Sequence, residues 1–234
     1  MSLFSLIEAV DLERQRDKIN WGEPMKRDRQ VGMVKTSFPL SKVSRLLEPG
    51  PVVLITTAGK GKANIMAQSW HMMIEFEPPL VGCVISNRNH SFSLVKAARE
   101  CVINIPTVEL AAEVVGCGNT SGRRTDKFKK FGLTPVAASC VTAPLIQECY
   151  ANLECQVVDM RLAAQYNIFI LEVLKAWVDP SQKQPKTMHH RGKGTFMVAG
   201  RTITLPSKMK QAQGKMDREP FSPKIAILLP LCRV

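Results

Sequence analysis

Residues 51–70 read PVVLITTAGKGKANIMAQSW, and this stretch decides the predicted fold. It opens with a run rich in β-branched side chains, as in a buried strand, and the glycines that follow supply turn chemistry. From residue 63 the chain returns to an extended pattern, which a Glu-Pro-Pro sequence stops. We therefore expect two consecutive strands, the second of them bent. Gln68 and Ser69 on that strand either present donors to a planar heteroaromatic ligand or to a phosphate, or face water at a sheet edge.

The chain from there to about residue 200 alternates short strands with short helices. Further strands are predicted at 80–86, 101–106, 150–163 and 167–179, and helices at 91–100, 107–116 and within 121–132. The short gap between the last two strands predicts an antiparallel hairpin, and another hairpin is predicted to turn at Gly200. This pattern favours a mainly β fold, a mostly antiparallel barrel, over a doubly wound sheet.

The composition limits the classes of function. The 234 residues contain no apolar run near the ~18–20 residues that span a membrane, and no signal-peptide pattern, so we expect a cytoplasmic protein without a membrane partner. The seven cysteines include no CxxC pair, which argues against a disulfide framework and against a metal site. The distribution of charged and apolar residues along the chain predicts a charged N-terminal extension (1–33), one domain (34–200) and a basic C-terminal tail (201–234).

The net charge of +12 raises the hypothesis of a nucleic-acid-binding module. Residues 179–234 hold eleven basic and three acidic residues, so most of the basic excess is C-terminal. Aromatic residues make up only 6% of the chain, which leaves few platforms on which bases could stack. The sequence favours this function least.

The segment SNRNHSF, residues 86–92, lies between a predicted buried strand and a predicted helix. Such a junction favours anions, Arg88 offers a forked donor for phosphate, and Ser91 is a candidate N-cap or phosphate ligand. The same pattern also fits an ordinary capped helix with an arginine in solvent. The loop 118–128, with its glycines, small hydroxyls and basic residues, fits either a phosphate-binding loop or a solvated basic loop.

The segments PVVLITT, NIMAQSW, PPLVGCVISNRNHSF, INIP and SGRRTDKF, in this order, resemble the flavin reductase-like family, and particularly its flavoredoxin-like branch. The resemblance covers roughly residues 36–200. It implies a six-stranded antiparallel split barrel with short flanking helices, the FMN-binding split barrel. It also implies a homodimer with FMN at or near the subunit interface.

The resemblance implies three groups of cofactor contacts. The bent strand would border the isoalloxazine ring and the ribityl chain through Met66, Ala67, Gln68 and Ser69. The SNRNHSF segment would hold the phosphate end and pack on the flavin through Ser86, Arg88, Ser91 and Phe92. Lys127 is a further candidate for the phosphate.

The resemblance further implies an oxidoreductase that transfers hydride from NADH or NADPH to flavin. No catalytic acid–base residue is expected, because hydride passes directly between closely stacked rings. Such a reductase could supply reduced flavin to a partner monooxygenase. The alternative is a flavoredoxin-type electron carrier, which keeps FMN tightly bound and passes electrons to a redox protein.

Overall fold

The computed structural model describes residues 35–43, 50–59 and 61–202. The predicted N-terminal extension, residues 1–33, lies outside the described residues, and so does the predicted basic tail from residue 203 onward.

The described residues form twelve strands. They are β1 (Thr36–Phe38), β2 (Val53–Gly59), β3 (Lys62–Gln68), β4 (His71–Phe76), β5 (Pro79–Val84), β6 (Glu100–Ile105), β7 (Pro135–Val136), β8 (Leu145–Ile146), β9 (Ala151–Asp159), β10 (Ile168–Val178), β11 (Met188–His190) and β12 (Phe196–Val198). Eight of them make one antiparallel sheet, in which seven follow the order β3-β2-β6-β9-β10-β5-β4 and β1 pairs with β10. The pairs β7–β8 and β11–β12 form two small separate ribbons.

The helices are short and flank the sheet. They are α1 (His90–Ala98), α2 (Ala111–Asn119), α3 (Lys127–Phe131) and α4 (Ala163–Tyr166), with 3-10 turns at Leu40–Lys42 and Val108–Leu110. Among the described residues, none of these helices has the length and apolar character needed to cross a lipid bilayer.

Strand β2 is buried on both faces of the sheet. Ile55 belongs to a core cluster with Ile103 of β6 and Leu171 of β10, all fully buried. Leu54 points to the opposite face, where its cluster includes Val114 of α2. Because both faces are covered, every residue from 53 to 57 is buried, including Thr56 and Thr57, and the strand shows no alternation of buried and exposed positions.

The bent strand supplies two strands of the structure. Strand β3 ends at Gln68 and β4 begins at His71, and the two lie at opposite ends of the sheet order. The Gln68 side chain joins these ends, since its Nε2 donates to Trp70 O at 2.9 Å and to Val84 O at 3.0 Å. The Val84 N–H also donates to Trp70 O, at 3.0 Å. The sheet therefore closes on itself at this seam.

The predicted antiparallel split barrel with short flanking helices is confirmed. The sheet of the described residues counts eight strands where six were expected in the barrel. The difference arises because the bent segment gives both β3 and β4, and because the short β1 is added beside β10.

A short hairpin precedes the turn predicted at Gly200. The structure pairs β11 with β12, and the intervening turn contains Gly192 and Gly194, with φ angles of 91° and 73° that glycine adopts without strain. Strand β12 is thus the second strand of this hairpin, and the strand predicted to follow a turn at Gly200 lies outside the described residues from 203 onward. Strand β11 has only three residues, too few for a period-2 pattern to be recognised.

Candidate functional site

A cleft of about 240 Å³ opens where three parts of the fold meet. Its walls are residues 64–67 of β3, residues 88–91 at the start of α1, and residues 117–122 at the end of α2 and in the loop that follows, with Lys127 of α3. Two segments far apart in sequence, the bent strand and the arginine-bearing turn, therefore lie side by side.

Lys127 joins the strand wall to the helix wall. Its Nζ donates to Ile65 O at 2.7 Å and to Cys117 O at 2.6 Å, and the residue is 5% exposed. Because β3 ends the sheet order, its outer carbonyls need other partners, and this ammonium serves one of them. An ammonium has three hydrogens, so one remains for a further acceptor. Burial lowers the pKa of Lys127, and the nearby Cys117 opposes that shift.

The start of α1 offers unsatisfied backbone donors. Asn89 is the N-cap, with φ −79° and ψ 142°, and its side chain makes no capping hydrogen bond. The prediction of Ser91 as the N-cap is therefore wrong, because this residue lies inside the first helical turn. The first turn of a helix carries free N–H groups and a partial positive charge, which suits an anion.

Asn64 connects all three walls of the cleft. It is 6% exposed, and its Nδ2 donates to Ser91 Oγ at 2.8 Å. Its Oδ1 is buried and has no hydrogen-bond partner among the described residues. A Cβ placed on Gly122 would lie 1.7 Å from this oxygen, so glycine at that position lets the loop close over Asn64 without displacing its side chain.

The charge of the lining has one sign. Its charged residues are Arg88, which is exposed, and Lys127, which is buried; within the described residues the lining contains no carboxylate. Burial raises the pKa of the Cys117 thiol to about 11, although Lys127 pulls it in the opposite direction. The thiol therefore adds no negative charge near neutral pH, and the cleft is suited to an anion.

Five of the residues implied by the resemblance line this cleft: Met66, Ala67, Arg88, Ser91 and Lys127. Four do not, namely Gln68, Ser69, Ser86 and Phe92. Gln68 closes the barrel, as described above. Ser86 accepts from the Arg88 N–H at 3.3 Å and so shapes the turn before α1, and Phe92 packs edge-on against Phe169, with ring centroids 5.2 Å apart.

Several lining residues are absent from the predicted set, above all Asn64, Asn89 and the loop residues 117–122. The loop carries a recognisable pattern of glycines and hydroxyls, but the local sequence does not indicate which of its residues face the cleft. Asn64 shares a strand face with Met66 and Gln68. A polar residue at such a buried position needs a hydrogen-bond partner, and this is the signal that could have identified Asn64 as a site residue.

Comparison with known proteins gives consistent results. The model of the family described as flavin reductase like domain matches residues 44–196. An uncharacterized protein of Escherichia coli K12, YddH, is 34% identical over 179 residues, which are 70% of this chain and 95% of that protein.

Solved structures share the fold. An FMN-binding domain of a flavin reductase-like enzyme from Shewanella baltica superposes with a TM-score of 0.70 at 25% identity, over 76% of this chain and 100% of that chain. Flavoredoxin of Desulfovibrio vulgaris superposes with a TM-score of 0.62 at 22% identity, over 67% of this chain and 90% of that chain. The family match covers well over half of the sequence, and the chain belongs to the flavin reductase like domain family.

Proposed function

We propose that the protein binds FMN in this cleft and acts as an oxidoreductase that transfers hydride from NADH or NADPH to flavin. The observation that carries the proposal is the composition of the cleft. Its lining by described residues has two cations and no carboxylate, at a helix start and beside a strand with small and apolar residues. FMN has the matching parts, a phosphate dianion and a largely apolar ring system.

The residues present fit such a ligand. Arg88, Ser91 and Lys127 would hold the phosphate, since each offers a donor to the cleft or its mouth. Met66 and Ala67 would border the flavin, and Gln68, Ser69, Ser86 and Phe92 would shape the surrounding walls. When bound, the flavin supplies the hydride chemistry, while the chain binds and orients it.

We also propose that two copies of the chain associate. Strand β4 is the last of the sheet order, and four large apolar residues in or just before it are exposed. Trp70 precedes the strand and is 73% exposed, and Met72, Ile74 and Phe76 within it are 65%, 44% and 53% exposed. A β-bulge between Met73 and Glu75 interrupts the alternation, so these side chains form an apolar cluster around the edge strand and not one regular row. Such a cluster is uncommon on a monomer surface and typical of an interface. It begins two residues after Gln68 of β3, so a second copy here would lie beside one end of the cleft strand.

The decisive experiment is a titration of purified protein with FMN, followed by NADH or NADPH in separate samples. We expect saturable FMN binding, and NAD(P)H oxidation that accelerates when free FMN is added. Protein that stays yellow through gel filtration and oxidises NAD(P)H slowly would instead assign the flavoredoxin-type carrier, whose fold this chain shares. Absence of FMN binding, together with steeply salt-dependent nucleic-acid binding, would refute both.

The remaining expectations stay part of this proposal. Residues 34–200 would form the flavin-binding domain, between an N-terminal extension and a basic tail. The cysteines at 83, 101, 117, 149 and 155 are free and buried, whereas Cys140 is disulfide-bonded. The proposed cytoplasmic location therefore rests on the sequence and not on the state of the cysteines. A partner monooxygenase or redox protein would be the acceptor of the electrons.

A further inference from the structure

We propose that Asn64 is the positioning residue that directs the Ser91 hydroxyl proton into the cleft, and thereby makes the cleft prefer a phosphorylated flavin over riboflavin. This inference rests on the proposed function and concerns the selectivity of the same site.

The first step is the hydrogen bond between the two side chains. Asn64 Nδ2 donates to Ser91 Oγ at 2.8 Å, and 27 positions separate these residues in the sequence. Both are buried, at 6% and 2% exposure. Among the described residues, this is the only hydrogen bond recorded for Ser91 Oγ.

The Ser91 hydroxyl can make more hydrogen bonds than the one with Asn64. A serine hydroxyl has one proton and two lone pairs, and here a lone pair is taken by the amide of Asn64. The proton must therefore find an acceptor on another side. Ser91 lines the cleft in the first turn of α1, so an oxygen of a phosphate bound there is suitably placed.

The third step fixes the orientation of the amide. The position that a Cβ on Gly122 would occupy lies 1.7 Å from Asn64 Oδ1, so a Cα hydrogen of Gly122 points at this atom. A Cα–H group suits an oxygen and not an NH2 group. Oδ1 therefore faces the loop, and Nδ2 faces Ser91. The closed loop thus holds the amide in the orientation that makes Ser91 a donor to the ligand.

Selectivity follows because the Ser91 proton serves only the phosphate end. Riboflavin has the same ring and ribityl chain without the phosphate, so it gains nothing from a correctly directed proton. A residue with a merely structural role would affect both ligands equally. The ratio of the two affinities therefore separates the two roles.

The experiment measures dissociation constants of FMN and of riboflavin by quenching of flavin fluorescence. The variants are Asn64→Ala, Ser91→Ala and their combination. We expect Asn64→Ala to weaken FMN binding about tenfold, as for loss of one hydrogen bond to a charged group, and to leave riboflavin binding within about twofold. The double variant should be no weaker than Ser91→Ala alone, because Asn64 acts through Ser91.

Thr57→Val is the matched control. Thr57 is the cross-strand partner of Asn64, its hydroxyl is buried without a partner among the described residues, and it does not line the cleft. Its replacement changes the same layer of the sheet, and both affinities should stay within about twofold of wild type.

Asn64→Asp keeps the shape of the side chain if the alanine variant fails to fold. Its carboxylate only accepts, so the Ser91 hydroxyl would donate to it and not to the phosphate. We expect a larger loss of FMN affinity than in Asn64→Ala, with riboflavin affinity preserved. The carboxylate also repels the phosphate, so FMN binding equal to wild type in this variant would overturn the proposal.

Other results would overturn it as well. These are an equal loss for FMN and riboflavin in the Asn64 variants, and a further loss when Asn64→Ala is added to Ser91→Ala. Wild-type protein is measured first: if it binds no FMN, the proposed function fails too, whereas normal wild-type binding with an unaffected Asn64→Ala rejects the positioning role alone.

Discussion

Arg88 and Lys127 both line the cleft, but their surroundings assign them different work. Lys127 is buried and donates two of its three ammonium hydrogens to the carbonyls of Ile65 and Cys117, so it belongs to the wall and keeps one hydrogen for a ligand. Arg88 is exposed at the mouth, and no hydrogen bond of its side chain to another described residue is recorded. Its guanidinium is thus free to take a ligand at little cost in lost contacts.

Replacement of Arg88 by alanine should therefore weaken FMN binding without destabilising the fold. We expect a loss of about 1.5–3 kcal/mol in binding free energy, the range for a hydrogen bond to a charged group. Calorimetric titration measures it, with Arg161→Ala as the control, since Arg161 is also exposed and pairs with Asp159. Unchanged FMN affinity in folded Arg88→Ala protein would contradict the assignment of the cleft.

The local pattern around Arg88 sufficed to predict its place, because a strand, a turn and a helix start follow one another in sequence. Asn64 could not be predicted in the same way. Its contacts, Ser91 and Gly122, lie 27 and 58 positions away, and only the folded sheet brings them together. The sequence placed Ser91 at the start of a helix, as the structure does, but its hydroxyl accepts from Asn64 and does not cap the helix.

At the scale of elements, the carboxylate of Glu154 on β9 holds the loop before β8 through hydrogen bonds to its backbone. The side chain is fully buried, and it accepts from the Ser139 N–H at 3.0 Å, the Cys140 N–H at 2.5 Å and the Trp177 Nε1–H at 2.8 Å. These donors come from the loop before β8 and from β10. A carboxylate with only acceptors matches three converging donors, which an amide cannot do.

Glu154→Gln should accordingly destabilise the protein. Its NH2 group would face a backbone N–H, and a buried unsatisfied donor costs about 1–3 kcal/mol of unfolding free energy. Urea unfolding measures the change. The control is Glu148→Gln, whose carboxylate accepts from the Thr134 N–H at 3.1 Å at an exposed site and should change stability by less than about 0.5 kcal/mol. Equal losses in both variants would show that burial is not the cause.

The elements themselves were largely predictable, because β2, β5, β6, β9 and β10 are apolar or alternating runs bounded by turn residues. The break between β3 and β4 was predicted only as a bend. The two strands are separated at Gln68, whose side chain donates to the Val84 carbonyl. This contact spans 16 positions, and the local sequence does not predict it. The ribbon β7–β8, with two residues in each strand, is too short for any periodicity to appear.

For the whole molecule, the exposed apolar cluster at β4 predicts the assembly. Met72→Glu places a charge in the cluster formed with Trp70, Ile74 and Phe76, and we expect the variant to shift from dimer to monomer in analytical ultracentrifugation. The control is Val136→Glu, which changes an apolar residue of 38% exposure on the β7–β8 ribbon. A wild-type protein that is monomeric at tens of micromolar would contradict the prediction.

Stability of the whole molecule should fall at alkaline pH. Burial raises the pKa of the thiols of Cys83, Cys149 and Cys155, and raises that of Cys117 to about 11. In the unfolded chain thiols titrate near pH ~8.5, so above that pH the unfolded state releases protons that the folded state keeps. The unfolding free energy then decreases by up to about 1.4 kcal/mol per pH unit for each thiol.

Lys35 acts in the opposite direction. Burial lowers its pKa to about 8, below the value of ~10.4 in an unfolded chain, so between these values its contribution to stability increases with pH. Burial also lowers the pKa of Lys127, which therefore contributes with the same sign as Lys35. Four thiols outweigh two lysines, and the net change is a loss. Urea unfolding from pH 8 to 11 under reducing conditions tests this, and Cys83→Ala should reduce the slope by one thiol. A slope that Cys83→Ala leaves unchanged would rule out this origin.

Gln68 ends the strand that lines the cleft, and its amide makes the hydrogen bonds that join one end of the barrel to the other. A ligand that immobilises residues 64–67 therefore also slows the breaking of these hydrogen bonds. Occupancy of the cleft should be visible at a distance, as slower deuterium uptake at the amide of Val84, whose hydrogen bond to Trp70 O lies outside the cleft lining.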